Sequence, residues 1–171
     1  MKAIHYFSII ILVLSFSTTN AQNLFLIGSK TYKSSETFKM KSKSYGGHDL
    51  DVLIAKDSEN GLLVLTTDAD PIAGVRIKGD AIIYLDDGTV ITCKDRNKFD
   101  HVDDVVSTIY NLTKLELEKM KKSNINSIRF FYGCYNCIAY TGEGSFTAVN
   151  ITEGYFFKKT DFRLVISELF Y

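Results

Sequence analysis

Cysteines and one acidic cluster around a histidine are the side chains whose types and spacing could do chemistry. Cys134 and Cys137 enclose Tyr135 and Asn136 in a Cys-X-X-Cys spacing. A thioredoxin-like redox centre needs its first cysteine at a helix N-terminus, where the dipole stabilises thiolate. Here Ile138 to Gly142 follow, which read as strand and turn. A zinc site needs two more ligands, and beyond residue 21 only Cys93, His48 and His101 are available, with no second pair at metal spacing. The pair therefore reads as structural. If Tyr135-Asn136 is a two-residue loop, the cysteines face each other with Cα atoms ~5.5 Å apart, within disulfide reach. If the strand runs straight through, they fall on opposite faces and either can pair with Cys93 instead. Alternation of Ile128, Phe130, Tyr132, Cys134, Ile138 and Tyr140 favours the straight strand.

Asp100-His101-Val102-Asp103-Asp104 sets an imidazole among three carboxylates, a group able to serve acid–base chemistry or to hold a divalent cation. The plainer reading is a solvated loop between strands, and it is preferred. Asp95-Arg96-Asn97 and Asp68-Ala69-Asp70 are fragments of calcium loops, but Phe99 and Ile72 stand where the next ligand is required. His48-Asp49-Leu50-Asp51 offers another ligand group, although Asp49 and Asp51 alternate as a strand's polar face does. Gly28-Ser29-Lys30-Thr31 lacks the spacing and order of a phosphate loop. Lys39, Lys41 and Lys43 form a basic comb able to touch an acidic partner; lysines also guard strand edges against unwanted pairing. Asn111-Leu112-Thr113 and Asn150-Ile151-Thr152 match glycosylation acceptors. These patterns predict no catalytic set, metal or cofactor; Lys39, Lys41, Lys43, Asp100, His101, Asp103 and Asp104 are the candidate binding residues.

The elements that position these side chains are mostly short strands. Thr37 to Lys43 alternates strictly, with Phe38 and Met40 on one face and the lysines on the other. Leu50 to Ala55 and Leu62 to Thr67 flank a turn. Ile72 to Lys78, Ala81 to Leu85 and Thr89 to Lys94 read as a meander, with turns at Gly79-Asp80 and Asp86-Asp87-Gly88. Val105 to Tyr110 precedes a short helix that Thr113 and Glu116 open as a capping box, with Leu112 and Leu117 as the staple. Ile125 to Tyr140 and Ser145 to Ile151 form a further hairpin. Thr160 opens a last helix whose Phe162, Val165, Ile166 and Leu169 make a core stripe. The expected fold is a single α+β domain: a mostly antiparallel sheet of hairpins and meanders, one short middle helix and one C-terminal helix.

The first residues, MKAIHYFSIIILVLSFSTTNAQ, have the layout of a secretory signal peptide: Lys2, an apolar run from Tyr6 to Phe16, then small residues ending at Ala21. As a helix that run is about 16 Å long, half of a ~30 Å hydrocarbon core, so no transmembrane span is expected after cleavage. No cysteine precedes Cys93 to carry a lipid. Residues 1–21 thus read as leader and 22–171 as the domain, periplasmic or extracellular, where disulfides are permitted.

With 20 basic and 20 acidic side chains the chain is formally neutral, which argues against nucleic acid as a partner. That zero is segregated. Residues 22–48 carry five lysines against Glu36, residues 49–104 thirteen acidic against six basic, and residues 105–171 eight basic against six acidic. Opposed segments suit a charged protein partner. The expected function is a non-enzymatic exported domain acting through protein–protein binding, such as an inhibitor, immunity or accessory protein. Two alternatives stand beside it: a carrier of a small apolar ligand in a sheet-plus-helix pocket, and a hydrolase using the cluster near His101.

Overall fold

A computed structural model describes residues 23–44, 47–67, 74–102, 105–134, 142–151 and 158–171. Eleven strands pair antiparallel throughout: β1 (Asn23–Ile27), β2 (Lys30–Ser34), β3 (Phe38–Ser42), β4 (Leu50–Asp57), β5 (Asn60–Thr66), β6 (Val75–Leu85), β7 (Val90–Cys93), β8 (Phe99–Val102), β9 (Val105–Leu112), β10 (Ile125–Cys134) and β11 (Gly144–Val149). Among the described residues two helices accompany the strands, α1 (Lys114–Lys122) and α2 (Phe162–Leu169). The expected α+β class, a mostly antiparallel sheet with two helices, is what the chain forms.

The strands run in the order β7-β6-β10-β11-β3-β4-β5-β9-β8, with the β1–β2 hairpin branching from β4. This strip rolls until β6 meets β9. There the Thr108 hydroxyl donates to Ile77 O at 2.7 Å and the Tyr110 hydroxyl to Gly79 O at 2.9 Å, side-chain bonds joining strands near opposite ends of the strip. Alternation sends Leu50, Val52 and Ile54 of β4, Leu63 and Leu65 of β5, and Ile128, Phe130 and Tyr132 of β10 inward. Leu117 and Met120 of α1 and Phe162, Ile166 and Leu169 of α2 complete the same core. Tyr110, Tyr132, Phe130 and Phe162 are fully buried there, so bulky rings fill the space between sheet and helices.

The α1 capping box forms as the sequence specifies, with Thr113 Oγ1 accepting from the Glu116 N–H and Glu116 Oε2 accepting from the Thr113 N–H. Three expectations are corrected. Gly79-Asp80 is not a turn but a bulge inside the continuous strand β6, where the register to β10 shifts between Arg129 and Phe131. Gly79 takes φ +72° there, and Asp95 Oδ2 receives its N–H at 2.7 Å. The cap of α2 is Asp161, which accepts from the Arg163 N–H, rather than Thr160. Residues 99–102 are an edge strand and not a loop. Residues 135–140, including Cys137 and the straight-strand expectation for that stretch, lie outside the described residues.

Thr160 serves a different purpose. Buried Asn150 donates to Ile125 O (2.7 Å) and Thr160 O (2.8 Å) and accepts from the Thr160 N–H (3.0 Å). Asn124 donates to Thr160 O (2.9 Å) and accepts from the Ile125 and Phe162 N–H groups. Two asparagines thereby clamp the start of α2 to β10, meeting the rule that buried backbone groups find partners.

Candidate functional site

Leu62-Leu63-Val64-Leu65 is apolar without alternation, and all four side chains are buried, so β5 is covered on both faces. The outer cover is the β1–β2 hairpin. Its turn at Gly28 takes φ +57°, and Phe25, Ile27 and Tyr32 pack on Ala55, Leu62, Val64 and Ile109. Where β2 leaves the edge of β4, Ser35 bridges the gap: its N–H donates to Ile54 O at 2.8 Å and its hydroxyl accepts from the Ile54 N–H at 3.1 Å.

The hairpin covers only part of that outer face. Beside it a cleft of about 280 Å³ remains, with Phe25, Leu53, Val64 and Val105 as apolar walls and Thr37, Asp51, Thr66 and Ser107 as polar ones. The Thr66 and Ser107 hydroxyls share a hydrogen bond of 2.8 Å. The cleft adjoins the edge strand β8, where Val102 lies opposite Val105, and these two valines are 61% and 48% exposed. Among the described residues β8 pairs with β9 alone and ends the strand order, with an apolar pair and a cleft beside it.

The candidate residues are divided between distant strands. Lys39 and Lys41 project from β3, four strands along the strip from β8, and Lys43 follows β3, exposed. The comb is not bare. Lys39 lies opposite Asp51 with its ammonium 3.9 Å away, and Lys41 bonds Asp49 at 2.7 Å. Burial pulls the Asp49 carboxyl up, but Lys41 and the Ser42 N–H outweigh it and hold the group below the usual carboxylate value. Asp100 and His101 are neighbours on β8 and so face opposite ways, Asp100 beside Ser107 and His101 beside Val106. Asp103 and Asp104 lie outside the described residues, as do Asp68 and Asp70. Asp95 binds the Gly79 and Asn97 N–H groups, ordering the turn after β7. His48 packs tilted against Tyr132 and edge-on against Phe146, with ring centroids 4.2 and 4.7 Å away. Among the described residues no three His, Cys, Asp or Glu side chains gather as metal ligands, and no helix is long and apolar enough to cross a membrane.

Cys93 is a free thiol, 1% exposed, and burial first, then the charges of Glu116 and Asp80, pushes it up to about 12. It cannot reach Cys134. Cys93 pairs with Ala81 on β6 and Cys134 with Val75, six residues away and about 20 Å along the strand. The expected pairing of Cys93 with Cys134 is therefore corrected, and Cys93 carries a free thiol. Of the two glycosylation motifs, Asn150 is buried with its amide nitrogen committed twice, whereas Asn111 is half-buried on β9.

The sequence reading missed Val102, Val105 and Phe25. The signal was the unbroken apolar run of β5, which demanded an outer cover and hence a boundary where that cover stops. No protein-family model matches the chain, no curated protein is detectably similar to it, and no solved structure matches its fold.

Proposed function

We propose that this is an exported, non-enzymatic domain that binds another protein at the β8 edge. The observation that supports the reading is the edge strand β8, last in the order of the described strands, with Val102 and Val105 exposed beside the 280 Å³ cleft. An extended partner segment adds a strand to β8 through main-chain hydrogen bonds, and one of its apolar side chains fills the cleft as an anchor. Asp100 and His101 then lie at the contact and contribute to partner choice, while the salt-bridged lysines of β3 contribute little. The signal-peptide layout of residues 1–21 supports export. In an oxidising compartment Cys134 pairs with Cys137, since Cys93 is free and distant.

Quantitative pull-downs from the native envelope at mild salt test the reading. A specific partner captured by the native chain and lost with Val102→Lys/Val105→Lys supports it; no retained partner, or equal capture by the variant, overturns it. The cleft also favours a second reading, a small apolar ligand held on the outer face rather than in the ring-filled interior. Native mass spectrometry of the envelope-purified protein, with and without Leu53→Trp to fill the cleft, distinguishes the two.

A further inference from the structure

The opposite face of the β1–β2 hairpin carries a different surface. Phe25 and Ile27 point to the sheet, so Leu24 and Leu26 point away, and each is 59% exposed. Leu24 lies directly opposite Lys33, and Lys33 directly opposite Lys56 of β4, so the row Leu24, Lys33, Lys56 crosses three strands on one face. Like charges facing each other across a ladder, with Cβ atoms about 5 Å apart, oppose the pairing unless something offsets them. Among the described residues no carboxylate forms an ion pair with Lys33 or Lys56; the Lys56 ammonium lies 5.6 Å from the Phe170 ring, in a cleft that it lines together with Glu59 and Glu118. Both carboxylates of that cleft are engaged by other lysines, Glu59 by Lys114 at 3.1 Å and Glu118 by Lys121 at 3.0 Å.

From this we infer that the Leu24–Leu26–Lys33–Lys56 face binds an anionic lipid surface. Two leucines at i and i+2 protrude about 7 Å apart beside two lysines, with Thr31 opposite Leu26. A bilayer interface accepts this arrangement without a shaped partner: apolar side chains enter the acyl boundary, and the ammonium groups stay among anionic headgroups on their long stems. The headgroup phosphates supply the counter-charge that the Lys33–Lys56 pair lacks. The inference uses the opposite face from the β8 site and stands independently of it.

The test is co-flotation of the full-length chain with vesicles of phosphatidylcholine alone and with phosphatidylglycerol at three parts in ten. Comparing variants of the same full chain cancels any contribution of residues 1–21. The native chain should bind the anionic vesicles preferentially, and high salt should weaken binding. Lys33→Gln/Lys56→Gln should lower partition about thirtyfold, and Leu24→Ser/Leu26→Ser by about tenfold or more; Leu24, Leu26 and Lys33 are exposed and Lys56 is half-buried, so thermal melts of the leucine variant should be unchanged and those of the lysine variant nearly so. Equal binding to both vesicle types, no binding, or binding that survives both double variants overturns the inference. So does binding to soluble polyglutamate that matches the anionic vesicles and is indifferent to the leucine substitutions, which would assign the face to an acidic protein.

Discussion

Replacing Asn150 tests how α2 is held to the sheet. Asn150 is 2% exposed and makes three hydrogen bonds of 2.7–3.0 Å, two as donor and one as acceptor. In Asn150→Ala all three are lost. Thr160 O keeps its bond from Asn124, but the Thr160 N–H is stranded. At about 1 kcal/mol per net bond, plus the desolvation cost of one orphaned donor, the substitution should destabilise by about 3–4 kcal/mol. That is a large part of the 5–15 kcal/mol that typically holds a domain.

Asn150→Asp is the sharper variant because its shape is unchanged. The carboxylate still accepts from the Thr160 N–H, but its other oxygen faces two carbonyls where a donor stood. At neutral pH it should therefore cost at least as much as alanine. Burial and the facing carbonyls favour the protonated form, so the introduced carboxyl titrates higher in the folded state than in the unfolded chain. The variant's deficit is then smallest below the ordinary carboxylate range and grows as pH rises through the folded-state value. Urea denaturation at pH 4 and pH 7, read by circular dichroism, measures both effects. An alanine variant within 0.5 kcal/mol of native, estimated against ordinary surface substitutions, refutes the clamp; an aspartate variant insensitive to pH refutes its donor assignment.

Other consequences are quicker to check. Lys159, at 2.6 and 2.7 Å, then Asn126, hold the Asp86 carboxyl below its usual value. Asp86→Asn should cost no more than about 1 kcal/mol at pH 7, since the pair is largely solvent-exposed. The cost should vanish as pH falls from about 4 through the lower folded value, and a deficit that persists in acid rejects the ion pair as its source. Cys93 should resist a thiol reagent in the native protein and react only on unfolding; with Cys134 and Cys137 paired, denaturation without reductant should reveal one thiol, and three would reject the pairing. Arg76, 4% exposed, bonds Asn97 Oδ1 at 2.5 Å and lies 4.5 Å from the Phe99 ring. Arg76→Lys cannot reproduce that fork and stacking, so it should cost about 1–2 kcal/mol and speed amide exchange in β8; unchanged exchange there would separate Arg76 from the edge strand.

Local signals were legible where the chemistry is local. The Thr113–Glu116 box and the Asp86–Gly88 turn each lie within a few residues and form as read, and of the stripe Phe162, Val165, Ile166 and Leu169 all but the half-buried Val165 enter the core. Gly79-Asp80 misled because a glycine with positive φ serves a bulge as well as a turn, and only the partner strand β10 decides between them. Asp100-His101-Val102 reads as part of a solvated loop from sequence, and pairing with β9 makes it strand although Asp is a weak strand former. The site was harder to read. The lysines of β3 could be placed on one face from their spacing, but Asp49 and Asp51 become their partners only through the β3–β4 register. Val102 and Val105 mattered only once their exposure was known.

That register also changes the meaning of the segregated charge. The basic segment 22–48 and the acidic segment that follows it are neighbouring strands, so Lys39 and Lys41 meet Asp51 and Asp49 at contact distance. Within and beyond the acidic segment, Asp80 meets Lys94, Asp86 meets Lys159 and Glu59 meets Lys114. Charge separated along the chain is thus brought together in space, where paired charges cancel within a Debye length of about 8 Å and leave little field to steer a distant partner. Recognition at the β8 edge then rests mainly on short-range terms, apolar contact and main-chain bonding, with Asp100 and His101 acting only at contact, and should vary little with salt. Among the described residues, Lys33 and Lys56 are like charges set side by side with no carboxylate in an ion pair to either. Binding there should weaken steeply as salt rises, so the two faces are separable by ionic strength alone.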